Sequence, residues 1–237
     1  MNGRRRQLAP WPRLQPPHHP LHTQAMTLGN TVLSGRHICL EPLTLNHVNG
    51  LVHAATAAAA EDPSLYQWSP VPQTQADATR YIDTALAWHD AGTAVPFAVF
   101  RVQDGVLIGS TRFWNIETWG WPLDHPQFGR REVDVCEIGY TWFTRSALRT
   151  AANTEAKLLM LAHAFETWKA LRVCLHTDVR NTRSRAAIER IGGQFEGVLR
   201  SHRLAADFTP RDSARYSIVA AEWPAVKERL QQRLNRG

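Results

Sequence analysis

The sequence predicts one α/β (α+β) domain built on a mixed, mostly antiparallel sheet flanked by helices. Two segments, Glu132–Phe143 and Arg172–Val179, have the β-branched and aromatic content of strands, and Ala151–Trp168 between them has apolar residues at helical spacing. Strands joined through a helix run parallel with a right-handed crossover, so this pair should form the parallel centre of the sheet. Asp104-Gly105, between two further apolar runs, predicts a hairpin and therefore antiparallel neighbours.

Composition is typical of a globular protein and excludes several other classes. The 237 residues are 43% hydrophobic, and no run reaches the roughly 18–20 apolar residues that cross a bilayer. Cys39, Cys136 and Cys174 fall in predicted strands without paired spacing, which argues against a disulfide framework or a metal site. We therefore expect a cytoplasmic protein with no metal and no membrane partner.

Residues 1–30 form a separate region that is rich in Pro, Arg, His and Gln and has no periodicity. We expect a disordered basic tail there, followed by a folded domain at 31–237. The tail's four arginines supply four of the six net positive charges, which leaves +2 (6 − 4) for the rest of the chain. No basic stripe with interleaved aromatic residues follows, so we do not expect nucleic-acid binding. Met26 is an alternative start to Met1.

The domain opens with one predicted strand and two predicted helices, at His37–Leu43, 44–60 and Thr74–Asp90. The segment 61–72 between the helices contains three prolines and must be irregular. Its aromatic residues Tyr66 and Trp68 would either pack in the core or line a binding cleft, and the sequence leaves both roles open.

The predicted hairpin is followed by a long connection. The two hairpin strands are Pro96–Val102 and Val106–Asn115. Trp119–Arg131 then holds two Trp, two Pro and two Gly before the central strand begins. Long ordered loops are often functional, so Trp119 and Trp121 are candidate ligand contacts. We expect Asp124 and His125 in this loop to be solvated.

The connector between the central strand and its helix predicts an anion site. It leads to a helix N-terminus, where unpaired backbone N–H groups and the helix dipole favour a bound phosphate. Thr150 and Asn153 both offer side-chain oxygens that could cap the first turn. Asn181 is the expected N-cap of the next helix, and Gly192 is expected to end it.

Three consecutive segments, EIGYTWF, NTEAKLLMLAHAFE and LRVCLHTDVRNTRSRAAIERIGG, resemble the Gcn5-related N-acetyltransferase (GNAT) superfamily. The chain looks closest to the subgroup that acetylates the N-termini of ribosomal proteins, and the resemblance covers roughly residues 37 to 234. It implies acetyl-CoA as co-substrate, with its diphosphate on the connector loop. It also implies that the central parallel strands splay apart to admit the pantetheine arm.

The resemblance assigns site residues around that splay. The implied cofactor contacts are Tyr140, Trp142, Phe143, Arg149, Thr150, Ala151, Ala152, Asn153, Thr154 and Asn181. The candidate contacts for the amine acceptor are Tyr66, Trp68, Trp119 and Trp121. The Arg180–Arg185 cluster would contact the 3′-phosphate of CoA or form a solvated helix face, and both readings stay open.

Glu137 is the candidate catalytic base. A partly buried carboxylate in the central strand should have a raised pKa and could accept the amine's proton directly or through water. The alternative is a buried Glu paired with an Arg. We expect Glu132 and Asp134 to be solvated, and we expect His163 and His176 to be structural.

The chain departs from the family pattern in two places. The phosphate loop usually reads Gln or Arg, two residues, Gly, one residue, then Gly or Ala, and Ser146, Arg149 and Ala151 stand at those places here. Arg149 could add charge but lacks the easy positive φ of Gly. Ile188 stands where many members have a Tyr that protonates the CoA thiolate. Asn181–Ser184 keeps the pattern of the ribosomal branch, so Ser184 is the candidate acid.

The chain should end with antiparallel strands at Gln194–Arg203 and Ser213–Ala220 and a helix at Glu222–Leu234. An apolar sheet edge at Ser213–Ala220 would support a homodimer. The predicted function is acetyl-CoA-dependent transfer of an acetyl group to a primary amine, either a protein N-terminus or a small amine such as an amino acid, polyamine or drug. The alternative is a catalytically weak or inactive protein that binds or senses acyl-CoA.

Overall fold

The computed structural model describes residues 31–62, 64–69, 71–130, 132–205 and 208–236. The predicted disordered tail, 1–30, lies outside the described residues, and so do Pro63, Pro70, Arg131, Ala206, Asp207 and Gly237. The helices are α1 (Val48–Glu61), α2 (Gln75–Asp90), α3 (Ala152–Ala162), α4 (Thr182–Ile191) and α5 (Trp223–Asn235). The strands are β1 (Leu33–Ser34), β2 (Ile38–Pro42), β3 (Val95–Arg101), β4 (Leu107–Glu117), β5 (Val135–Phe143), β6 (Arg172–Asp178), β7 (Gln194–Leu204) and β8 (Pro210–Val219).

The strands form one eight-stranded sheet in the order β1-β2-β3-β4-β5-β6-β8-β7. Every neighbouring pair is antiparallel except β5 and β6, which confirms the predicted mixed sheet with one parallel pair at its centre. The prediction of a sheet edge at Ser213–Ala220 is wrong, because β8 lies between β6 and β7 and is bonded on both sides. The outer strand at this end of the sheet is β7.

The parallel pair separates soon after it begins. Val135, Cys136 and Glu137 pair with Arg172, Val173 and Cys174, and the pairing ends there. We call the separation of β5 and β6 beyond Glu137 and Cys174 the fork. On its other side β5 stays paired with β4 as far as Phe143, through a bulge at Tyr140, which has a φ of 52°.

Alternate residues of the strands bury against helices on opposite faces of the sheet. Phe97 and Val99 of β3 belong to a core cluster with α3 and α5, whereas Ala98 belongs to a second cluster with α1 and α2. Ile138 lies in the first cluster and Trp142 in the second, because the bulge at Tyr140 interrupts the alternation between them. The fork is therefore covered by α3 on one face and opens toward α1 and α2 on the other.

Glu155 on α3 holds the first strands in place. Its carboxylate is buried and accepts hydrogen bonds from the backbone N–H groups of Arg36, His37 and Ile38, at 2.8, 2.7 and 2.8 Å. Ionised acceptors make stronger hydrogen bonds than neutral ones, so this contact ties the β1–β2 turn to the helix that follows the fork.

Most element boundaries agree with the sequence prediction to within a few residues, and there are two differences. The helix predicted to reach Trp168 ends as α-helix at Ala162 and continues as one π-helical turn at His163–Thr167. The two-residue strand β1 is too short for an alternation pattern to reveal it. Within the described residues, no helix is long and apolar enough to span a membrane.

Candidate active site

The fork opens into a cavity of ≈ 890 Å³. The walls come from β5 and β6, from the connector and first two turns of α3, from α4, from the segment 64–69, and from the ends of β7 and β8. Predicted cofactor contacts on the wall are Tyr140, Trp142, Phe143, Arg149, Thr150, Asn153, Thr154 and Asn181. Predicted catalytic and acceptor residues on the wall are Glu137, Ser184, Tyr66 and Trp68. Ala151 and Ala152 precede Asn153 at the start of α3 and do not line the wall.

The connector contains a residue with a positive φ just before α3. Arg149 has a φ of 60°, so it occupies the left-handed region that a glycine normally supplies. Thr150 Oγ1 accepts a hydrogen bond from Ala152 N at 3.2 Å and donates to Ala147 O at 2.8 Å, which fixes the turn into α3. The N-terminus of α3 therefore faces the cavity beside a guanidinium, and both features fit a diphosphate.

Glu137 lies at the fork and is only 3% exposed. Arg203 donates to both of its oxygens, from Nη1 at 3.4 Å and from Nη2 at 3.1 Å, and Asn115 Nδ2 donates to Oε2 at 3.3 Å. Nδ1 of His176 lies 3.0 Å from the same Oε2, at ion-pair distance but without the alignment of a good hydrogen bond. Three neighbours from other strands therefore surround this one carboxylate.

The prediction of a raised pKa for Glu137 is wrong. Burial by itself raises the pKa of this carboxyl, but the contacts with His176 and Arg203 outweigh burial and hold the pKa below its ordinary value. The structure thus contains the alternative arrangement, a buried Glu paired with an Arg. An ionised carboxylate at this place can still accept a proton from an amine.

Aromatic side chains surround the buried guanidinium of Arg112 on β4. Arg112 is 1% exposed, and its Cζ lies 4.3 Å from the ring centre of Tyr140 and 4.7 Å from that of Tyr81. Its Nε and Nη2 have no hydrogen-bond partner among the described residues. The neighbouring ring of Trp114 lies under Arg203, with Cζ at 4.1 Å from the ring centre. These cation–π contacts place two arginines beside the open face of the fork.

The segment 64–69 covers the cavity from the side of α1. Tyr66 donates its hydroxyl to Phe143 O at 3.0 Å and packs edge-on against Trp142. Burial raises the pKa of Tyr66 to about 12, so this hydroxyl stays protonated at neutral pH. Trp68 stacks under the guanidinium of Arg180 at 4.7 Å. Both aromatic side chains are therefore held by contacts with neighbouring residues and do not extend freely into solvent.

The start of α4 has the expected cap and a polar wall residue. Asn181 accepts a hydrogen bond from Ser184 N at 3.0 Å, which confirms it as the N-cap. Ser184 lines the cavity, and Ile188 is buried one turn further along the helix. In the neighbouring arginine cluster, Arg183 donates to Leu65 O at 2.8 Å. This contact joins α4 to the segment that covers the cavity.

The loop before β5 does not reach the cavity. Trp119 and Trp121 pack around Asp134, which accepts hydrogen bonds from Trp119 N at 2.6 Å and from Trp121 Nε1 at 3.2 Å. The prediction that Asp134 is solvated is therefore wrong, because it is 1% exposed and also lies 3.3 Å from Nε of Arg130. His125 stacks on Trp121. Neither tryptophan is part of the cavity wall.

Lys157 is a wall residue that the sequence analysis did not single out. It lies one turn into α3, is 5% exposed, and donates from Nζ to Thr141 Oγ1 at 2.8 Å. Burial lowers the pKa of Lys157 to about 7. Helical spacing could have placed this lysine on the inner face of α3, but a lysine is so often exposed that the pattern did not draw attention to it.

The sequence model of the acetyltransferase (GNAT) domain family matches residues 37–194, more than half of the chain. The protein belongs to the GNAT acetyltransferase family. A curated relative, YdaF of Bacillus subtilis, is named as a candidate ribosomal N-acetyltransferase and is 30% identical over 126 residues, which cover 53% of this chain and 61% of YdaF. The match thus spans less than two thirds of that relative's length.

Solved GNAT structures share the fold over most of this chain. A GCN5-related N-acetyltransferase from Brucella melitensis superposes with a TM-score of 0.74 and 27% identity, covering 88% of this chain and 87% of the other. RimJ of Mycobacterium smegmatis, solved in complex with CoA-disulfide, has a TM-score of 0.67 and 21% identity, with coverage of 85% and 90%. GNAT neighbours therefore include CoA-binding proteins. Among the described residues of this chain, no group of His, Cys, Asp and Glu could hold a metal ion.

Proposed function

We propose that this GNAT protein transfers the acetyl group of acetyl-CoA to a primary amine by direct attack of the amine on the thioester. The observation that carries the proposal is the fork, which places a buried carboxylate, Glu137, at the point where the parallel pairing of β5 and β6 ends. The same cavity extends to the N-terminus of α3, so one continuous space holds an anion site and a candidate base.

Each residue has a role in the proposed reaction. Backbone groups of β5 beyond Glu137 would bind the amides of the pantetheine arm and position the thioester, and Arg149 with the first turn of α3 would bind the diphosphate. Glu137 would remove a proton from the acceptor's ammonium group, directly or through water. Ser184 would donate a proton to the departing thiolate. Holding the two reactants together makes a covalent enzyme intermediate unnecessary.

A second candidate function is supported by the two departures from the family pattern. Arg149 replaces the glycine of the phosphate loop, and Ile188 replaces the tyrosine that many members use as acid. Arg203 also holds Glu137 through both of its oxygens. A protein with these features could bind acyl-CoA and turn over slowly or not at all.

Calorimetric titration with acetyl-CoA and with CoA tests the cofactor site. We expect Arg149→Ala to weaken binding, whereas Arg149→Gly keeps the backbone shape and isolates the loss of charge. Arg200→Ala, which removes an exposed arginine from the middle of β7, is the control. Absence of binding by the unmodified protein would refute both candidate functions.

An acceptor screen then separates the two functions. We expect CoA release with at least one primary amine, and Glu137→Gln should abolish most of it. Tight binding of acetyl-CoA without turnover for any peptide or small amine would instead support the binding protein.

A further inference from the structure

Two arginines stand directly opposite each other on the cavity wall. Arg203 on β7 and Arg211 on β8 are cross-strand partners, and both side chains line the cavity. Like charges directly opposite each other in an antiparallel pair destabilise a sheet. We call Arg203 and Arg211 the arginine pair.

The charge of the arginine pair is only partly balanced by nearby carboxylates. Arg203 binds Glu137, whereas Arg211 donates from Nε to the hydroxyl of Ser213 at 3.0 Å and has no ion pair with a carboxylate among the described residues. Asp178 is close enough for its charge to act on Arg211, but it already accepts three hydrogen bonds from Arg180. Arg211 is thus a half-buried cation with donors to spare.

A third guanidinium adds to the positive charge of this end of the cavity. Arg112 lies directly behind Tyr81 and Tyr140, two residues of the wall. Its unpartnered, buried nitrogens give it no compensating anion among the residues that the structure describes. Of these three guanidiniums, only that of Arg203 has an ion pair with a carboxylate among the described residues, the one with Glu137.

We propose that the arginine pair binds a carboxylate located next to the amine of the acceptor. The acceptor class is then an amine that carries a negative charge, either an amino acid or a peptide with an acidic residue near its N-terminus. This inference rests on the proposed acetyl transfer. Guanidinium groups bind carboxylates through paired, charge-assisted hydrogen bonds, and they repel a polyamine.

The position of Arg203 connects this contact with the reaction. Because Arg203 also touches Glu137, a carboxylate bound by the arginine pair would place the neighbouring amine beside the candidate base. The bound carboxylate would also share Arg203 with Glu137. That sharing weakens the ion pair that keeps Glu137 ionised and increases its affinity for the amine's proton.

The test uses the full chain saturated with CoA and three peptides that begin Ser-Asp, Ser-Asn or Ser-Lys and are otherwise identical. Calorimetry measures peptide binding, and CoA release from acetyl-CoA measures transfer. We expect the order Asp, Asn, Lys in both, with kcat/KM about 10- to 100-fold higher for the acidic peptide than for the basic one. Arg211→Gln should remove most of this discrimination, and Arg200→Gln, an exposed change on β7, should keep it.

Free glutamate and its α-amide distinguish the two sources of the carboxylate. If free glutamate binds more tightly than its α-amide, the arginine pair binds an α-carboxylate. If the acidic peptide binds more tightly than glutamate, the arginine pair binds a side-chain carboxylate of a peptide. Charge-ordered binding without transfer would support this inference while refuting the proposed function. Transfer with no charge order, a preference for the Ser-Lys peptide, or no binding of any acidic acceptor would overturn it.

Discussion

At the residue scale, the charge state of Glu137 is set by side chains that are distant in the sequence. Arg203 is 66 positions away, and His176 reaches Glu137 from the neighbouring strand β6. Burial raises the pKa of this carboxyl, but these two partners outweigh burial. The pKa of Glu137 is therefore below the ordinary value for a glutamate. A carboxylate of lowered pKa is a weaker base than predicted from burial alone, but it is available at every pH at which the amine can react.

Glu137→Gln should lower kcat/KM for acetyl transfer by about 100-fold or more, because a glutamine cannot accept the amine's proton. Glu117→Gln, at the exposed end of β4, should leave the rate unchanged. Acid loss of activity in the unmodified protein should begin below the ordinary pKa of a glutamate, because the pKa of Glu137 is lowered. Steady-state rates across the acid range check both expectations, and an unchanged rate in Glu137→Gln would remove Glu137 from the mechanism.

Lys157 should make the free energy of unfolding depend on pH between about 7 and 10.5. The pKa of this lysine is about 7 in the folded chain against 10.5 for an ordinary lysine, so between these values the unfolded chain binds a proton that the folded chain does not. Stability should therefore rise with pH through this window. The penalty for the buried charge is fully present below the folded pKa.

Lys157→Met removes that penalty and should flatten the pH dependence. Denaturant unfolding at about pH 7 and about pH 9 should show the unmodified protein gaining more than about 1 kcal/mol relative to the variant. Since all other titrating groups are common to both proteins, a parallel pH dependence would mean that Lys157 is charged in the folded state.

Several site residues could be predicted one by one, but their partners could not. The strand pattern placed Glu137 at the centre of the sheet, and the Asn before an apolar helix identified the cap at Asn181. The ion pair with Arg203 and the burial of Asp134 depend on tertiary contacts that leave no periodic signal in the sequence. Asp134 was expected to be solvated because it lies near the start of the predicted strand, but two tryptophans and an arginine enclose its carboxylate.

At the element scale, the bulge between β4 and β5 shapes the site. Ser110 pairs with Trp142 and Arg112 pairs with Gly139, so β5 holds an extra residue, Tyr140, between these pairs. Bulges redirect side chains, and this one turns Tyr140 toward Arg112 and Trp114 on the face of Glu137. The sequence pattern predicted both strands but not the bulge, because an extra residue in one strand leaves no distinct signal in the alternation of apolar and polar residues.

Gly109→Ala should destabilise the protein by about 2 kcal/mol, because a Cβ there would overlap the backbone carbonyl of Trp142 and push β4 away from β5. The matched control is Gly120→Ala, where a new Cβ meets no atom within 4 Å and φ is not positive. Denaturant unfolding of both variants measures the difference. Equal stabilities would show that the strands can separate at little cost.

Arg149 has the backbone conformation that a glycine would adopt easily. The departure from the family pattern suggested that the positive φ was lost, yet Arg149 adopts it at 60°. A side chain in this region costs about 1 kcal/mol, a cost that neighbouring contacts such as those of Thr150 must offset. The residue type alone does not reveal this backbone angle, because positive φ is uncommon for an arginine.

At the scale of the whole molecule, the described residues hold the complete eight-stranded sheet without the basic tail. Deleting residues 1–30 removes four positive charges and no described contact. We expect the midpoint of thermal unfolding and the acetylation rate to stay unchanged, while any salt-dependent retention on DNA falls. Circular dichroism, the acceptor assay and DNA binding check these expectations. A large drop in the unfolding midpoint would show that the tail is part of the folded domain.

The fold class and the central parallel pair could be predicted from the sequence, but the order of the outer strands could not. Local patterns and one crossover fix the central parallel pair, because chirality and connection length leave few topologies. The order in which β7 and β8 attach is a long-range choice that hydrophobic alternation does not record. That is why the predicted outer strand was the wrong one. A homodimer through a sheet edge stays a prediction, and it would use β7 or β1.

The fork also divides the sheet into two sets of paired strands. Strands β1 to β5 form one ladder and β6 to β8 form another, and only three residue pairs join them. A pantetheine arm whose amides bridge the gap would act as a substitute strand that completes the ladder.

Hydrogen exchange would detect the pairing of the pantetheine arm with the two strands. Amides of β5 and β6 just beyond the three pairs should exchange several-fold more slowly when CoA is present, whereas amides of β3, already bonded on both sides, should not change. Bound CoA would then connect the two halves of the sheet, and release of the product would break that connection and loosen the fold locally.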